Sequence, residues 1–311
     1  MKKILIIDSA NLIHNFKYSY INGSVDNLVE PFLIEIQKLV QRLNPDIIVL
    51  GNDENKSRYR SELTEGYKSG RIKQQKKFTN KQIEAENLVR SLKSNLKLFK
   101  GLLVYGGVLG VEYDDIASLL YQDIRLKDYS KIIVSQDKDL LTTIKFEDIY
   151  DWKQQRFKNQ EDLLGFNRNE WLFFQSLTGD PTDSFGGVKG IGSVTAEKLV
   201  RKYRTINNLL QKAYEDSFGE KDIYVRKALQ RLCTVEGIAE LKLGYHLAKI
   251  FRDNSYLNET ELKRYEEIVQ DISTYKKPDP DSFVSTALDN FFIESRAYDG
   301  ERILNEIGEF L

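Results

Sequence analysis

Four short, continuous apolar runs in the first half of the chain constrain its fold more than any other feature. They are Ile4–Ile7, Ile47–Leu50, Leu102–Tyr105 and Lys131–Ser135, and helical patterns lie between them, as in the apolar stripe from Val29 to Leu43. Runs of this length suit strands that are buried on both faces of a parallel sheet. The alternation of strands and helices therefore predicts an α/β domain with a mostly parallel sheet flanked by helices.

The second half of the chain has a different pattern. Helical periodicity dominates from about residue 169 onward, and it is broken by the glycine-rich stretch Gly186–Gly192 and by the turn Pro278-Asp279-Pro280. We therefore divide the chain into an α/β domain at residues 1–172 and a helical region at residues 173–311.

The composition excludes several classes of protein. The single cysteine, Cys233, cannot form an internal disulfide, and the only two histidines, His14 and His246, lie far apart in the sequence, so a Cys/His zinc site is not expected. No apolar run approaches the roughly 18 residues of a membrane span. We expect a cytoplasmic protein with no membrane partner.

A basic segment runs from residue 56 to residue 100. It holds 13 lysines and arginines against 4 glutamates, although the whole chain carries a net charge of −1. Such a segment is either an ordinary solvated face or a clamp for a polyanion. An acidic remainder that binds metal would favour the clamp.

Acidic residues follow each of the four predicted strands. They are Asp8, Asp53, the group Glu112, Asp114 and Asp115, and the pair Asp137 and Asp139. Taken singly, each could be a helix cap or a turn residue. Because a parallel sheet places its ligand crevice outside the carboxyl ends of its strands, we expect these acids to meet at one edge.

Such a cluster requires cations. Two unit charges about 5 Å apart repel each other by roughly 3 kcal/mol at an effective dielectric constant near 20. Oxygen ligands without a Cys/His set favour Mg²⁺ or Mn²⁺. Two such ions catalyse phosphodiester hydrolysis in other enzymes, and a phosphodiester substrate agrees with the basic segment.

A second acidic pair, Asp180 and Asp183, precedes the glycine-rich stretch, and its three-residue spacing predicts that both lie on one face of a helical turn. The glycines then lead into a helix that we expect to begin at Ser193 or Thr195. Glycines let a backbone approach phosphate, and a helix amino end adds N–H donors, so a non-specific grip on DNA and a plain glycine turn are both open. Basic residues between 186 and 204 favour the grip; they are Lys189, Lys198, Arg201, Lys202 and Arg204.

Five blocks of sequence, in order, resemble the 5′ nuclease superfamily: phage 5′–3′ exonucleases, flap endonucleases and the 5′-nuclease domain of bacterial DNA polymerase I. The resemblance runs from Ile4 to about Leu210. The blocks are Ile-Asp8-Ser-Ala-Asn-Leu; Asp53 with Arg58-Tyr-Arg60 and Tyr67-Lys68-Ser-Gly-Arg71; Gly-Val-Glu112-Tyr-Asp114-Asp115; Ser-Gln-Asp137-Lys-Asp139-Leu-Leu; and Gly-Asp180-Pro-Thr-Asp183 running into Gly-Val-Lys-Gly190-Ile191-Gly192.

The resemblance implies a resolvase-like (PIN-like) α/β core and a helix–three-turn–helix module at about residues 186–204. It implies a Mg²⁺-dependent 5′–3′ exonuclease and 5′-flap endonuclease of DNA replication or repair that uses two metal ions, with Mn²⁺ as a substitute. The module would bind duplex DNA with a K⁺ ion, and the basic segment would be a helical arch for a single-stranded 5′ end. A bacterial or phage-infected cytosol would be the setting.

The resemblance also implies roles for individual residues. Lys68 and Arg71 would reach the scissile phosphate, with Asp8 and Asp137 as further catalytic residues, and Tyr67 would stack on a base. One metal ion would lie among Asp8, Asp53, Glu112 and Asp114. The other would lie toward Asp115, Asp137, Asp139, Asp180 and Asp183. The remaining DNA contacts would be Arg58, Arg60, Gly187, Val188, Lys189, Gly190, Ile191, Gly192, Lys198 and Lys202.

Some positions depart from the family pattern and some predictions stay open. Tyr113 stands where the family has a small residue, and Gly51-Asn52 replace a common apolar or aromatic residue before Asp53. Ser184 replaces a frequent asparagine. These departures affect substrate fit and leave every carboxylate in place.

The predicted partners are 5′-flapped or 5′-ended DNA, RNA–DNA hybrids with RNA primers, and a single-strand-binding protein or a sliding clamp, and we expect a monomer. The clamp would dock on Leu288, Phe291 and Phe292, whose spacing also fits a buried helix face. A PIN-type ribonuclease and a catalytically silent protein that binds branched DNA are the alternative functions.

Overall fold

The central feature of the fold is a six-stranded sheet. The computed structural model describes residues 1–69, 79–95 and 103–276. The strands are β1 (Lys3–Asp8), β2 (Ile47–Gly51), β3 (Val104–Tyr105), β4 (Ser130–Val134), β5 (Ile149–Asp151) and β6 (Arg156–Phe157). Their order across the sheet is β3-β2-β1-β4-β5-β6, and every pair is parallel except β5 with β6. The predicted α/β class with a mostly parallel sheet is confirmed.

Strands β5 and β6 were not predicted from the sequence. They are short, and the charged residues Asp151 and Lys158 interrupt the apolar pattern in this region. Both side chains are nevertheless buried and form an ion pair of 2.8 Å. Because this region buries a pair of charged residues, its sequence contains no continuous apolar run from which a strand could be predicted.

Eleven α-helices surround the sheet in the described ranges. They are α1 (Ser9–Ile21), α2 (Val29–Leu43), α3 (Arg58–Leu63), α4 (Asn80–Asn95), α5 (Tyr113–Gln122), α6 (Arg168–Thr178), α7 (Ser193–Tyr203), α8 (Ile206–Gly219), α9 (Ile223–Leu232), α10 (Val235–Ala248) and α11 (Glu259–Thr274). The apolar stripe from Val29 to Leu43 forms α2 with the predicted bounds, and Asn44 ends it in the left-handed conformation, at φ 45°. The helix predicted after the glycine-rich stretch begins at Ser193, as expected.

Alternate residues of β1 point into two hydrophobic cores on opposite faces of the sheet. Ile4 and Ile6 face one core, and Leu5 and Ile7 face the other. The first core continues without interruption into helices α6 to α11. The predicted boundary between residues 172 and 173 falls inside α6.

Several predictions fall on residues outside the described ranges. Arg71, the middle of the basic segment, the turn at Pro278 and the clamp-binding residues Leu288, Phe291 and Phe292 belong to this group. Two helices of the basic segment, α3 and α4, are described. Among the described helices, none is both long enough and apolar enough to cross a membrane.

Candidate metal and nucleic-acid site

The register of the sheet brings the first acids together. Asp8 is the last residue of β1 and lies beside Gly51, the last residue of β2, while Ile7 lies beside Val134 at the end of β4. Asp53 and Asp137 follow these strand ends by two and three residues. The carboxyl ends of three adjacent strands therefore open into one acidic crevice, as the topology requires.

Asp8 is held rigidly at this edge. Its Oδ1 accepts the backbone N–H of Asn11 at 3.1 Å, which caps α1, and its Oδ2 accepts the hydroxyl of Ser135 at 3.2 Å. Burial, together with the charges of Asp53 and Asp137, raises the pKa of Asp8 to about 7. The carboxylate is thus both a cap and a member of a repelling cluster.

Asp114 joins the same cluster from the first turn of α5. Asp53 caps this helix, because its Oδ1 accepts the backbone N–H of Tyr113 at 2.8 Å. Burial first, and then the charges of Asp137, Asp8 and Asp53, raise the pKa of Asp114 well above its usual range. A cation in the crevice would relieve this repulsion.

Asp137 and Asp139 occupy the loop after β4. Asp137 Oδ1 accepts the backbone N–H of Asp139 at 2.7 Å. The carboxylate of Asp139 accepts hydrogen bonds from Gln175 Nε2 at 2.5 Å and from Trp171 Nε1 at 3.4 Å. Burial and the neighbouring charge of Asp137 raise the pKa of Asp139 to about 8.

Gln175 and Trp171 are site residues that the sequence analysis missed. They lie one turn apart on α6, just before the Gly179–Asp180 segment that returns to the crevice. That spacing is the only sequence signal for them. Within the described ranges, the buried Oε1 of Gln175 has no hydrogen-bond partner, so this oxygen remains available to a ligand or to water.

The predicted helical turn at Asp180 and Asp183 is wrong. Gly179–Asp180 and Phe185–Gly186 form a small antiparallel hairpin, β7 and β8, and Ser184 takes a left-handed conformation at φ 60° in its turn. Asp180 Oδ1 accepts the backbone N–H of Thr182 at 2.6 Å, which stabilises the turn. The hairpin still carries both acids to the crevice, since the charges of Asp183 and Asp180 raise the pKa of Asp137 in addition to its burial.

Lys68 supplies a positive charge inside this crevice. Its Nζ lies 2.5 Å from Glu112, 3.7 Å from Asp53 and 4.0 Å from Asp183. The residue adopts a left-handed backbone at φ 55°, and its amide donates to the carbonyl oxygen of Asp183 at 2.8 Å. A lysine in this strained conformation is held by its surroundings.

Tyr67 does not present its ring to a ligand, so the predicted base stacking is wrong. The side chain is only 2 % exposed. Its hydroxyl lies 2.9 and 3.0 Å from the two carboxylate oxygens of Glu112, and 3.3 Å from Asp183. Tyr67 therefore orients Glu112 beneath the crevice.

Arg60 and Asp115 form a buried pair, which overturns two further predictions. Arg60 Nη1 and Nη2 bind the two oxygens of Asp115 at 2.6 and 3.1 Å, and its remaining donors reach the carbonyls of Leu247 and Lys249. Their side chains are 2 % and 0 % exposed. Arg60 cannot reach DNA, and it occupies both oxygens of Asp115 while its Nη1 also lies 3.1 Å from Glu112.

Arg58 serves as a second internal anchor. Its Nε lies 2.9 Å from Glu261 on α11, and Nη1 lies 3.0 Å from Glu62. Another nitrogen donates to the carbonyl of Tyr256 at 2.9 Å. The predicted DNA contact by Arg58 would have to compete with these partners.

The large side chain of Tyr113 fits because position 51 is a glycine. Tyr113 is 2 % exposed, and a Cβ at position 51 would meet its ring at 1.8 Å. A Cβ at Gly106 would also contact the ring, at 3.0 Å. The large residue between Glu112 and Asp114 is accommodated because two glycines leave room for it.

The glycine-rich stretch forms a tight connection between β8 and α7. Val188 and Ile191 are buried, so only their backbone could contact DNA. Gly190 adopts a left-handed backbone conformation at φ 85°, which favours glycine. A Cβ at Gly187 would meet the carbonyl oxygen of Leu177 at 2.0 Å. Within the predicted module at residues 186–204 the structure has the glycine loop and one helix, α7; the preceding helix, α6, ends at Thr178, before the β7–β8 hairpin.

The carboxylates are close but do not form a finished metal site. Across residues 1–69, 79–95 and 103–276, no three Asp, Glu, His or Cys side chains surround a common point as ligands of one metal ion. The donor chemistry nevertheless fits hard cations, because the crevice is lined by oxygen atoms and one lysine. The raised carboxyl pKa values are the expected result of such a cluster without cations.

Comparison with known families identifies a match over more than half of the chain. The family described as 5′–3′ exonuclease, N-terminal resolvase-like domain, matches residues 3–166. This range contains the whole six-stranded sheet and all of the acids that follow it, up to Asp139.

Individual proteins are similar over longer ranges. The flap endonuclease Xni of Shewanella amazonensis is 30 % identical over 258 residues, which cover 80 % of this chain and 93 % of that protein. A 5′–3′ exonuclease of Mycoplasmopsis pulmonis is 27 % identical over 220 residues, which cover 67 % and 69 %. The bacteriophage T5 D15 flap endonuclease, solved with DNA and metal ions, has the same fold, with a TM-score of 0.68, 18 % identity, and coverage of 86 % of this chain and 98 % of that one.

Proposed function

The chain belongs to the 5′–3′ exonuclease family, and on this premise we propose that it is a structure-specific 5′ nuclease that hydrolyses phosphodiester bonds of DNA. Its activities are those of a 5′–3′ exonuclease and a 5′-flap endonuclease. The observation that carries this proposal is the convergence of acids from three strand ends, α5 and the β7–β8 hairpin around one lysine.

The crevice would hold two divalent cations, with Mg²⁺ as the resident ion and Mn²⁺ as a substitute. Eight carboxylates would share them: Asp8, Asp53, Glu112, Asp114, Asp137, Asp139, Asp180 and Asp183. Such ions activate water and stabilise charge on a phosphoryl group. Asp115 is excluded from the ligand set because Arg60 already binds both of its oxygens.

Neighbouring side chains hold the carboxylates of the crevice in place. Tyr67 and Lys68 fix the carboxylate of Glu112, while Gln175 and Trp171 fix that of Asp139. Lys68 adds a positive charge that stabilises the negative phosphate, and Arg71 is proposed to assist it. Preorganised charge of this kind costs no rearrangement at the moment of reaction.

The proposed nucleic-acid partners follow from the same family. The basic segment would receive a single-stranded 5′ end, and the module at residues 186–204 would bind the duplex, with K⁺ held by backbone carbonyls. RNA primers in RNA–DNA hybrids are a further proposed substrate. We also propose that the enzyme acts as a monomer in the cytoplasm, and that a sliding clamp or a single-strand-binding protein recruits it.

An end-labelled 5′-flap duplex tests the activity directly. With Mg²⁺ we expect release of the flap and progressive shortening from the 5′ end, and no product in EDTA. A single-stranded RNA of the same length distinguishes the alternative, because a PIN-type ribonuclease would cut the RNA and spare the flap. A flap that is bound but stays intact over hours with Mg²⁺ would instead identify a silent DNA-binding protein.

Asp137→Ala tests the site. We expect turnover to fall by orders of magnitude, while DNA affinity in EDTA changes little, because Asp137 lies in the crevice and contacts its own loop. Asp128→Asn, an exposed change in the loop before β4, is the matched control and should retain full activity. Near wild-type cleavage by Asp137→Ala would refute the assignment of the crevice.

A further inference from the structure

The basic residues on and just after α7 are all engaged with carboxylates of the same chain. Lys198 Nζ lies 2.5 Å from Asp222, and Lys202 Nζ lies 3.0 Å from Asp216 and 3.6 Å from Glu220. Arg201 pairs with Glu197 at 2.9 Å and Arg204 with Glu170 at 2.8 Å. The face that the sequence presents as basic is therefore electrically balanced in the folded protein.

The acids that face the two lysines are fixed by other contacts. Asp222 caps α9, accepting the backbone N–H groups of Tyr224 at 2.9 Å and Val225 at 3.3 Å. Asp216 accepts the hydroxyl of Tyr203 at 2.6 Å. These carboxylates cannot leave without loss of a cap or a hydrogen bond.

The two lysines are instead partly exposed to solvent. Their side chains are 53 % exposed for Lys198 and 44 % exposed for Lys202, on long flexible stems. An exposed ion pair of this kind contributes at most about 1 kcal/mol. Each ammonium group can therefore leave its carboxylate for a competing anion nearby.

We propose that Asp222 and Asp216 act as intramolecular competitors of DNA phosphate, so that Lys198 and Lys202 exchange a carboxylate for a phosphate when the duplex binds. This proposal rests on the proposed function, because it takes duplex DNA as the partner of α7. The exchange lowers affinity for any duplex, since each lysine leaves an uncompensated carboxylate beside the DNA. Stable engagement then requires the additional contacts of a single-stranded 5′ end in the crevice, which favours flapped DNA over a blunt duplex.

The test is the salt dependence of duplex binding by Asp222→Asn. Asparagine caps a helix as well as aspartate does, so α9 should be kept. A unit charge about 6 Å from a phosphate changes binding about threefold through water, and we expect the variant to bind tighter by about that factor. The slope of log K against log salt should steepen by up to about 0.9, because a full phosphate contact releases its counterion.

A double variant makes the exchange visible. Lys198→Ala should weaken binding more in the Asp222→Asn background than in the wild type, where the lysine is already neutralised. Affinity is measured by fluorescence anisotropy on a blunt hairpin duplex in EDTA. Glu215→Gln is the matched control: Glu215 is exposed on α8 beside Asp216, and in the described part of the chain it has no contact with a cation of α7.

The outcomes separate this proposal from the proposed function. Tighter binding and a steeper slope for Asp222→Asn, with little change for Glu215→Gln, support the exchange. Equal affinity for wild type and Asp222→Asn, with normal flap cleavage, overturns the exchange and leaves the nuclease intact. A wild type that neither binds the hairpin nor cuts the flap overturns both.

Discussion

The Asp139→Asn variant tests whether the crevice is destabilised by its own charge when metal is absent. Burial and the charge of Asp137 raise the pKa of Asp139 from 3.8 to about 8. A carboxyl whose pKa is higher in the folded state binds more protons there than in the unfolded chain. The contribution of Asp139 to stability is therefore most favourable below pH 4 and is lost as the pH rises toward 8.

The size of the effect follows from the same values. A pKa raised from 3.8 to about 8 corresponds to a destabilisation of about 6 kcal/mol once the pH exceeds both values. Water reaches part of this side chain and screens the repulsion, so we expect about half of that. Asparagine carries no charge and keeps an oxygen that can accept from Gln175, so Asp139→Asn should be more stable than wild type by about 3 kcal/mol at pH 9 in EDTA.

Urea unfolding followed by far-UV circular dichroism, at pH 5 and pH 9 in EDTA, measures this difference. The advantage of Asp139→Asn should be small at pH 5 and large at pH 9, and Mg²⁺ should stabilise the wild type more than the variant. Asp128→Asn should show no such dependence on pH. A variant that is equally or less stable than wild type at pH 9 would show that Asp139 carries no electrostatic strain.

Three further substitutions test the contacts around the crevice. Gly51→Ala should destabilise the fold by about 1–3 kcal/mol in urea unfolding, because its Cβ would overlap the Tyr113 ring, and Gly51→Ala with Tyr113→Leu should recover part of the loss. Arg60→Met should cost about 3–5 kcal/mol by leaving Asp115 charged and buried, and the added change Asp115→Leu should restore part of the stability in a double-mutant cycle, since Arg60 also pairs with Glu112. Lys68→Met should lower the single-turnover cleavage rate about 10²- to 10³-fold with native circular dichroism, and an unchanged rate would exclude Lys68 from catalysis.

The fold was predictable because its strands are buried on both faces. Ile4–Ile7 and Ile47–Leu50 read as continuous apolar runs, and the structure extends each by only one or two residues. The acids that follow them were predictable for the same reason, since parallel strands end at one edge. Local pattern and global topology agree in this half of the chain.

The orientation of individual side chains was not predictable. Asp114 and Asp115 are adjacent in sequence, yet Asp114 joins the acids of the crevice and Asp115 is fully paired with Arg60. The choice depends on how α5 is rotated against the sheet, and Tyr113 packing over Gly51 helps to set it. Such a contact joins residues 62 positions apart and leaves no periodic signal in either segment.

The net charge of a segment, counted along the sequence, does not give the charge that the folded protein presents to a ligand. The segment from residue 56 to 100 is strongly basic, yet Arg58, Arg60 and Lys68 each contact an acid from a distant segment. The same holds for Lys198 and Lys202 on α7. Opposite charges within about 4 Å largely cancel at longer range, so the field that a nucleic acid meets depends on which cations lack such a neighbour after folding. The net charge of a segment therefore predicts what the unfolded chain attracts, and under the proposed exchange the affinity of the folded enzyme for DNA depends on Asp216 and Asp222 as well as on the lysines they face.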